Sequence, residues 1–250
     1  MAVSFVAAGS LAGNATVATQ AIVAPATQYG DVLICAIINK SVTANVVSAP
    51  TADWKTVIAT EVNDCTTAAD DHQFSLFYRR AEASGVTYTF TKATDDNVLF
   101  AGVIVAYRGA DPDNPLDATA AARTKTAGAA DNVTFPAYDP VSTDNRVIFV
   151  AFYGNDATTF AAAMSADTNP DCTNDCDVET ATGSDASIAF TSGTNDGSNV
   201  ASRTWASVST VDAGSTGVVF ALQAARNPVW SSIPHTVYQT NQSINRAANW

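Results

Sequence analysis

The chain is short of charge and of helix formers. Asp, Glu, Lys and Arg make up only 14% of its 250 residues, where about a quarter is usual. Three of the acidic residues are glutamates, Glu61, Glu82 and Glu179, and all the others are aspartates. Lysine is equally scarce. Aspartate favours turns and caps, whereas glutamate favours helix interiors. With Thr, Val, Ser and Asn filling the space, the composition is one of strands and loops. Basic residues number 12 against 24 acidic ones, giving a net charge of -12 and a pI near 4.3. Such a surface repels the phosphate backbone of nucleic acids and keeps a protein soluble. No apolar run approaches the roughly 18 residues that cross a bilayer, so no membrane span is expected. No Lys or Arg precedes Lys40, so the positive region that opens a secretory signal is missing. Synthesis and folding in a cytoplasm are expected. The four cysteines, Cys35, Cys65, Cys172 and Cys176, are too few for a disulfide framework. Cys35, inside VLICAII, reads as a buried free thiol.

Chemistry-bearing motifs are also missing. The chain contains no G-x-S-x-G, H-E-x-x-H, P-loop or G-x-G-x-x-G. Its two histidines are His72 and His235; a triad needs a poised nucleophile as well, and His72 reads as a surface or turn residue. The carboxylate pairs Asp70-Asp71 and Asp95-Asp96 read as solvated loop tips. The sequons at Asn14, Asn39, Asn132 and Asn241 are those expected by chance in an Asn- and Thr-rich chain. The expectation is a protein that is not an enzyme and needs no cofactor.

What the chain does have is a succession of strand-length apolar runs separated by Asp, Asn, Thr, Pro and Gly. Asp31 to Asn39, Leu99 to Tyr107 and Arg146 to Tyr153 are apolar almost throughout and read as central strands covered on both faces. Val3 to Ala8, Thr16 to Ala24, Trp54 to Val62, His72 to Arg80, Val86 to Phe90, Val133 to Phe135, Ser187 to Phe190, Arg203 to Val211 and Gly217 to Ala224 complete the strands. This succession of short strands without βαβ alternation predicts an all-β fold, an antiparallel two-sheet sandwich. Short helical turns are predicted at Ala118 to Arg123 and at Phe160 to Met164. Tyr107-Arg108-Gly109 closes a buried strand, and Arg108 is expected to pair with Asp111 or Asp113. Arg79 and Arg80 fall on opposite faces of one strand and form no patch. No fixed-period internal repeat is visible.

The sharpest local cluster is Asp171-Cys172-Thr173-Asn174-Asp175-Cys176-Asp177. It reads as an unliganded surface loop. The alternatives are a calcium site on Asp171, Asp175 and Asp177, which offer hard oxygens, or a local Cys172–Cys176 disulfide. The calcium pattern lacks the Gly and distal Glu of an EF-hand loop, and C-x-x-x-C alone is no zinc site.

The sandwich, residues 1–226, is expected to end at Ala225-Arg226. The remaining segment, residues 227–250, carries two prolines and isolated large anchors: Trp230, Ile233, Tyr238 and Trp250 among them. Disordered tails are poor in aromatics; spaced aromatics on an extended segment suggest an arm that docks on a neighbour. Packing across its own domain is the alternative.

Several segments, read together, resemble a known module. They are Gly30-Asp-Val-Leu-Ile, Trp54-Lys-Thr-Val, Phe77-Tyr-Arg-Arg-Ala, Tyr88-Thr-Phe-Thr, Ala101-Gly-Val-Ile-Val-Ala-Tyr-Arg-Gly and Asp212-Ala-Gly-Ser-Thr-Gly-Val-Val-Phe-Ala-Leu-Gln. The module is a jelly-roll-like β-sandwich of tailed-bacteriophage virion proteins, and the likeness runs from Val3 to Arg226. Its motifs are strand and turn signals, which specify fold better than role. The resemblance implies a virion component, either a capsid decoration (cement) protein or a tail or fibre module, with no catalytic residues to transfer. The implied partners are a major capsid protein or neighbouring copies of the chain in a homo-oligomer. The alternative is a tail or fibre module that binds host carbohydrate, for which Trp54, Trp205 and Tyr153 are the candidate platforms. All three also lie in strand patterns where core packing uses them.

Overall fold

Runs of alternating apolar residues need cover on whichever faces they present, and here the longest runs are apolar on both. A computed structural model shows how that cover is supplied. It describes residues 2–14, 17–41, 45–96, 98–128, 132–154, 160, 164, 170–179, 186–206 and 214–225. The first part of the chain forms β1 (Ser4–Ala8), β2 (Ala12–Asn14), β3 (Thr19–Val23), β4 (Val32–Asn39), β5 (Val47–Ser48), β6 (Lys55–Asn63), β7 (His72–Arg80), β8 (Thr87–Lys92) and β9 (Phe100–Arg108). The second forms β10 (Ala122–Thr126), β11 (Asn132–Phe135), β12 (Asn145–Tyr153), β13 (Thr173–Glu179), β14 (Ser187–Asn195), β15 (Arg203–Ala206) and β16 (Ser215–Gln223). Among the described residues one 3-10 turn, Ala68–Asp70, is the sole helical element. The protein is an all-β sandwich built from antiparallel pairs.

Among the described residues there are four sheets. One large sheet runs β1-β9-β4-β7-β6, with β2 also on β9; the other runs β10-β16-β12-β14-β13. A three-stranded sheet, β3-β8-β5, and a two-stranded sheet, β11-β15, complete the set. The burial pattern gives the layering. Val32, Ile34, Ala36 and Ile38 of β4 share one core with Ile148, Val150 and Phe152 of β12, so the large sheets pack face to face. The intervening residues Leu33, Cys35 and Ile37 face the three-stranded sheet with Ile22, Tyr88 and Phe90. Val147, Phe149, Ala151 and Tyr153 likewise face Val133, Phe135 and Trp205 of the two-stranded sheet. The order is therefore small sheet, large sheet, large sheet, small sheet. This is why β4, β9 and β12 read as unbroken apolar runs: each has a core on both sides.

The two parts of the chain are the same unit built twice. Ranked by chain order within each large sheet, both have the strand order first, fifth, second, fourth, third. Their registers agree as well. Val32 of β4 opposes Arg80 and Tyr107, and Arg146 of β12 opposes Thr194 and Leu222. Ile37 opposes Gly102 as Ala151 opposes Gly217. Each unit carries a β-bulge at the same place, between Thr56 and Ile58 in β6 and between Asn174 and Cys176 in β13. The glycines also match. A Cβ on Gly102 would strike Ile22 of β3, and one on Gly217 would strike Thr134 of β11, so both let the small sheet lie close on the large one. A sequence search for fixed periodicity misses this repeat because shape and register are preserved while residue identities are not.

Four strands escape the sequence reading: β2, β5, β10 and β13. All are short or polar edge segments without the alternation that marks a half-buried strand. The helical turn expected at Ala118 to Arg123 is overturned, because residues from Ala122 onward join β16 as an edge strand. The ladder hydrogen bonds outweigh the helix preference of the alanines. The expected helix at Phe160 to Met164 lies largely outside the described residues, as do residues 207–211 of the strand expected from Arg203.

Candidate functional site

Two clusters of polar side chains lie at the seam between the two large sheets. One cluster is built on the bulge of β13. The extra residue there, Asp175, turns its carboxylate inward, where it accepts hydrogen bonds from the Tyr107 hydroxyl at 2.9 Å and from Ser192. Arg146 donates to Ser192 at 2.7 Å and stands 3.8 Å from the same carboxylate. Burial pushes the Asp175 carboxyl up, and Ser192, Tyr107 and Arg146 only partly offset it. Tyr107 comes from the first unit and the other three residues from the second.

A second cluster closes the opposite end of the seam. His72 is fully buried at the start of β7. Its Nδ1 lies 3.0 Å from the Asp70 carbonyl, and its Nε2 lies 3.1 Å from Thr216 Oγ1 across the seam. Since a carbonyl only accepts, Nδ1 carries the proton and Nε2 accepts from the threonine. Burial holds the imidazole down at about 4, with the Lys40 charge adding to it. Lys40 donates across the seam to the Gly154 carbonyl, and Asp71 accepts from the backbone of Cys65 at 2.6 Å. Burial pushes the Cys65 thiol up to about 11, with Asp71 and Asp70 contributing. Hydroxyl, imidazole and orienting oxygen are arranged like an activated nucleophile. Both His72 and Thr216 are fully buried, however, and an imidazole held at about 4 is a weak base. The arrangement is suited to holding the seam.

The structure corrects several sequence expectations. His72 is a core residue, not a surface or turn residue, because β7 has cover on both faces. Asp70 and Asp71 are buried, not solvated tips, because their turn folds against the seam. Of the second pair, Asp95 is exposed, but Asp96 is half-buried and paired with the buried Lys92. Burial alone would raise the Asp96 carboxyl, yet hydrogen bonds from Lys92, Ser41 and Asn45 hold it at about 2. Arg108 pairs with Asp31, through two contacts of 2.8 Å, and not with Asp111 or Asp113. The start of β4 lies beside the end of β9, so Asp31 is the nearer carboxylate. The loop at 111–113 is held instead by Arg80, which donates to the carbonyls of Asp111 and Pro112.

The Asp171 to Asp177 segment is not a loop. Residues from Thr173 onward form the edge strand β13, and Cys172 and Cys176 are buried free thiols. Cys176 enters the central core and Cys172 the core under the two-stranded sheet, so the strand separates them and no local disulfide forms. The calcium candidates are also parted. Asp171 is exposed, Asp175 is committed to Tyr107 and Ser192, and Asp177 accepts from the Phe160 backbone at 2.8 Å. Among the described residues no group of three or more His, Cys, Asp or Glu side chains is placed to hold a metal ion.

The three candidate sugar platforms are core residues: Trp54 is 5% exposed, and Trp205 and Tyr153 are fully buried. Trp54 packs edge-on against Tyr88 and Phe90, and Trp205 lies 4.6 Å from Phe160. The surface does hold an open groove of about 310 Å³ lined by Lys55, Tyr78, Arg79, Arg80, Pro112 and Asp113 among others. Its arginines already have partners: Arg79 stacks on Tyr88 and pairs with Glu82, while Arg80 holds the 111–113 loop. The arm anchors Trp230, Ile233, Tyr238 and Trp250 lie outside the described residues. The last described residue, Ala225, donates to the Gly109 carbonyl at 2.8 Å. No family model, curated protein or solved structure matches the chain.

Proposed function

We propose that the chain is a structural component of a tailed-phage virion, and specifically a capsid decoration protein that binds neighbouring subunits on the particle surface. The observation that carries the reading is how the fold uses its polar and aromatic groups. Buried carboxylates, the buried imidazole and the large rings all serve internal seams, so the body is a rigid brick. The acidic surface keeps such a brick soluble at high local concentration. Recognition then falls to the arm, residues 227–250, whose spaced aromatics suit docking on a neighbour. Repetition over a symmetric lattice multiplies weak contacts into avidity. A carbohydrate-binding role on a tail or fibre is the weaker reading, because Trp54, Trp205 and Tyr153 are unavailable to a sugar. Mass spectrometry and electron cryomicroscopy of particles purified from the producing culture test the proposal. The expected result is the chain at stoichiometric abundance, with density on the outer capsid surface. Its absence from washed particles overturns the reading.

A further inference from the structure

Because the two units share strand order, register and bulge, shape alone would let the large sheet of one unit pack on a second copy of itself. The stacking is symmetric in this sense. Edge strand β1 lies over β13, and Glu61 of β6 meets Arg123 and Lys125 of β10. By the shared strand order β1 corresponds to β10 and β6 to β13, so exchanging the units maps each contact onto the other.

The side chains break that symmetry. By register, Asp175 stands where the first unit has Val57, and Tyr107 where the second has Leu222. Arg146 and Ser192 match Val32 and Tyr78. The polar cluster on one side of the seam thus faces an apolar counterpart on the other. His72 and Thr216 match Ala186 and Ala101, which lie in the central core. The edge pairs differ too, since Arg123 and Lys125 belong to the second unit and Glu61 to the first.

We propose that this seam is a recognition surface selective for the unlike unit: the first accepts the second and rejects a copy of itself. In a pair of first units, Tyr107 would bury its hydroxyl against Val57, His72 would face Ala101, and Glu61 would lose both cations. In a pair of second units, Asp175 would meet Leu222 with no tyrosine donor, and Thr216 would face Ala186. Each mismatch occurs twice in a like pair, and buried polar groups without partners are what reject wrong partners. The selectivity is independent of where the protein acts.

The boundary between the units falls at Asp113 and Asn114, both exposed. Arg80 of the first unit ties down the carbonyls of Asp111 and Pro112, and Gln223 of the second donates to those of Asn114 and Pro115. A protease recognition sequence inserted there in the full chain allows the folded protein to be cut. Native mass spectrometry is expected to find the fragments still joined one to one. After unfolding in denaturant and refolding of an equimolar mixture, the ratio of unlike to like pairs is expected to exceed its statistical value by about tenfold or more. Fragments that part on cutting, or like pairs at statistical abundance, overturn the proposal. Should a fragment precipitate on refolding, a double-mutant cycle on the uncut protein decides. Tyr107→Phe and Asp175→Asn are each expected to lower Tm, and together to lower it by less than the sum of the two. Strictly additive losses overturn the proposal.

Discussion

His72 shows how a single buried residue contributes to the response of this protein to acid. Its folded pKa, about 4, lies below the ordinary value of 6.5 because burial disfavours the charged ring. The unfolded chain therefore takes up the proton first as pH falls. The stabilisation is complete above about pH 6.5 and is lost as pH drops towards 4. At roughly 1.4 kcal/mol per pH unit, the whole interval removes about 3 kcal/mol. Asp175 works in the opposite sense, since its raised carboxyl favours proton uptake by the folded state. The histidine is isolated by substitution. His72→Ala, which copies the residue at the matching position Ala186, is expected to lower Tm at pH 7 through the cavity it leaves. The fall in Tm from pH 7 to pH 5 is expected to be smaller in the variant than in the natural protein. Calorimetry at the two pH values measures this, and equal falls would show that His72 is not the group responsible.

Elements are positioned here by what lies beneath them as much as by their own propensity. Each small sheet rests on a glycine of the last strand of its large sheet, but the two sites differ in what resists a side chain. At Gly102 the closest obstacle is the far end of the Ile22 side chain, not backbone. At Gly217 it is the backbone carbonyl of Thr134. Gly217→Ala is therefore expected to cost about 1–3 kcal/mol, as overpacking does, and more than Gly102→Ala. Thermal denaturation of the two variants compares them; an equal or greater loss at Gly102 contradicts the packing account. The strands themselves were legible wherever period-two or continuous apolar patterns occurred. β10 and β13 were not, because edge strands such as Ala122–Thr126 and Thr173–Glu179 bury little and carry Asp, Asn, Lys and Arg. The polar sites were less legible still. Asp175 faces inward only because a bulge reverses the local alternation, and its partners Tyr107 and Ser192 are remote in sequence.

For the molecule as a whole, body and arm are expected to separate in function. If the arm carries attachment, deleting residues 227–250 leaves the four-sheet body folded, with Tm unchanged to within a few degrees, and abolishes incorporation into particles. Circular dichroism and calorimetry check the first outcome, and a particle-binding assay the second. Normal incorporation of the truncated protein removes the arm from the account while leaving the body's place on a virion open to the purification test. A collapse of the fold would instead show that the arm packs across its own body.

Composition and pattern were enough to determine that this chain is all-β, that its sheets are antiparallel, and that β4, β9 and β12 are central. Those properties follow from local rules: scarce helix formers, strand-length apolar runs and turn residues between them. Only the tertiary structure decided that the chain is one unit built twice, with four layers and a seam whose polar contacts fall on one side of each matching pair. Register and stacking are set by backbone pairing and by the shape of packed faces, and many residue sets satisfy both. Val57 and Asp175, or Ala186 and His72, hold the same place with opposite chemistry, so nothing in their identities announces that they correspond.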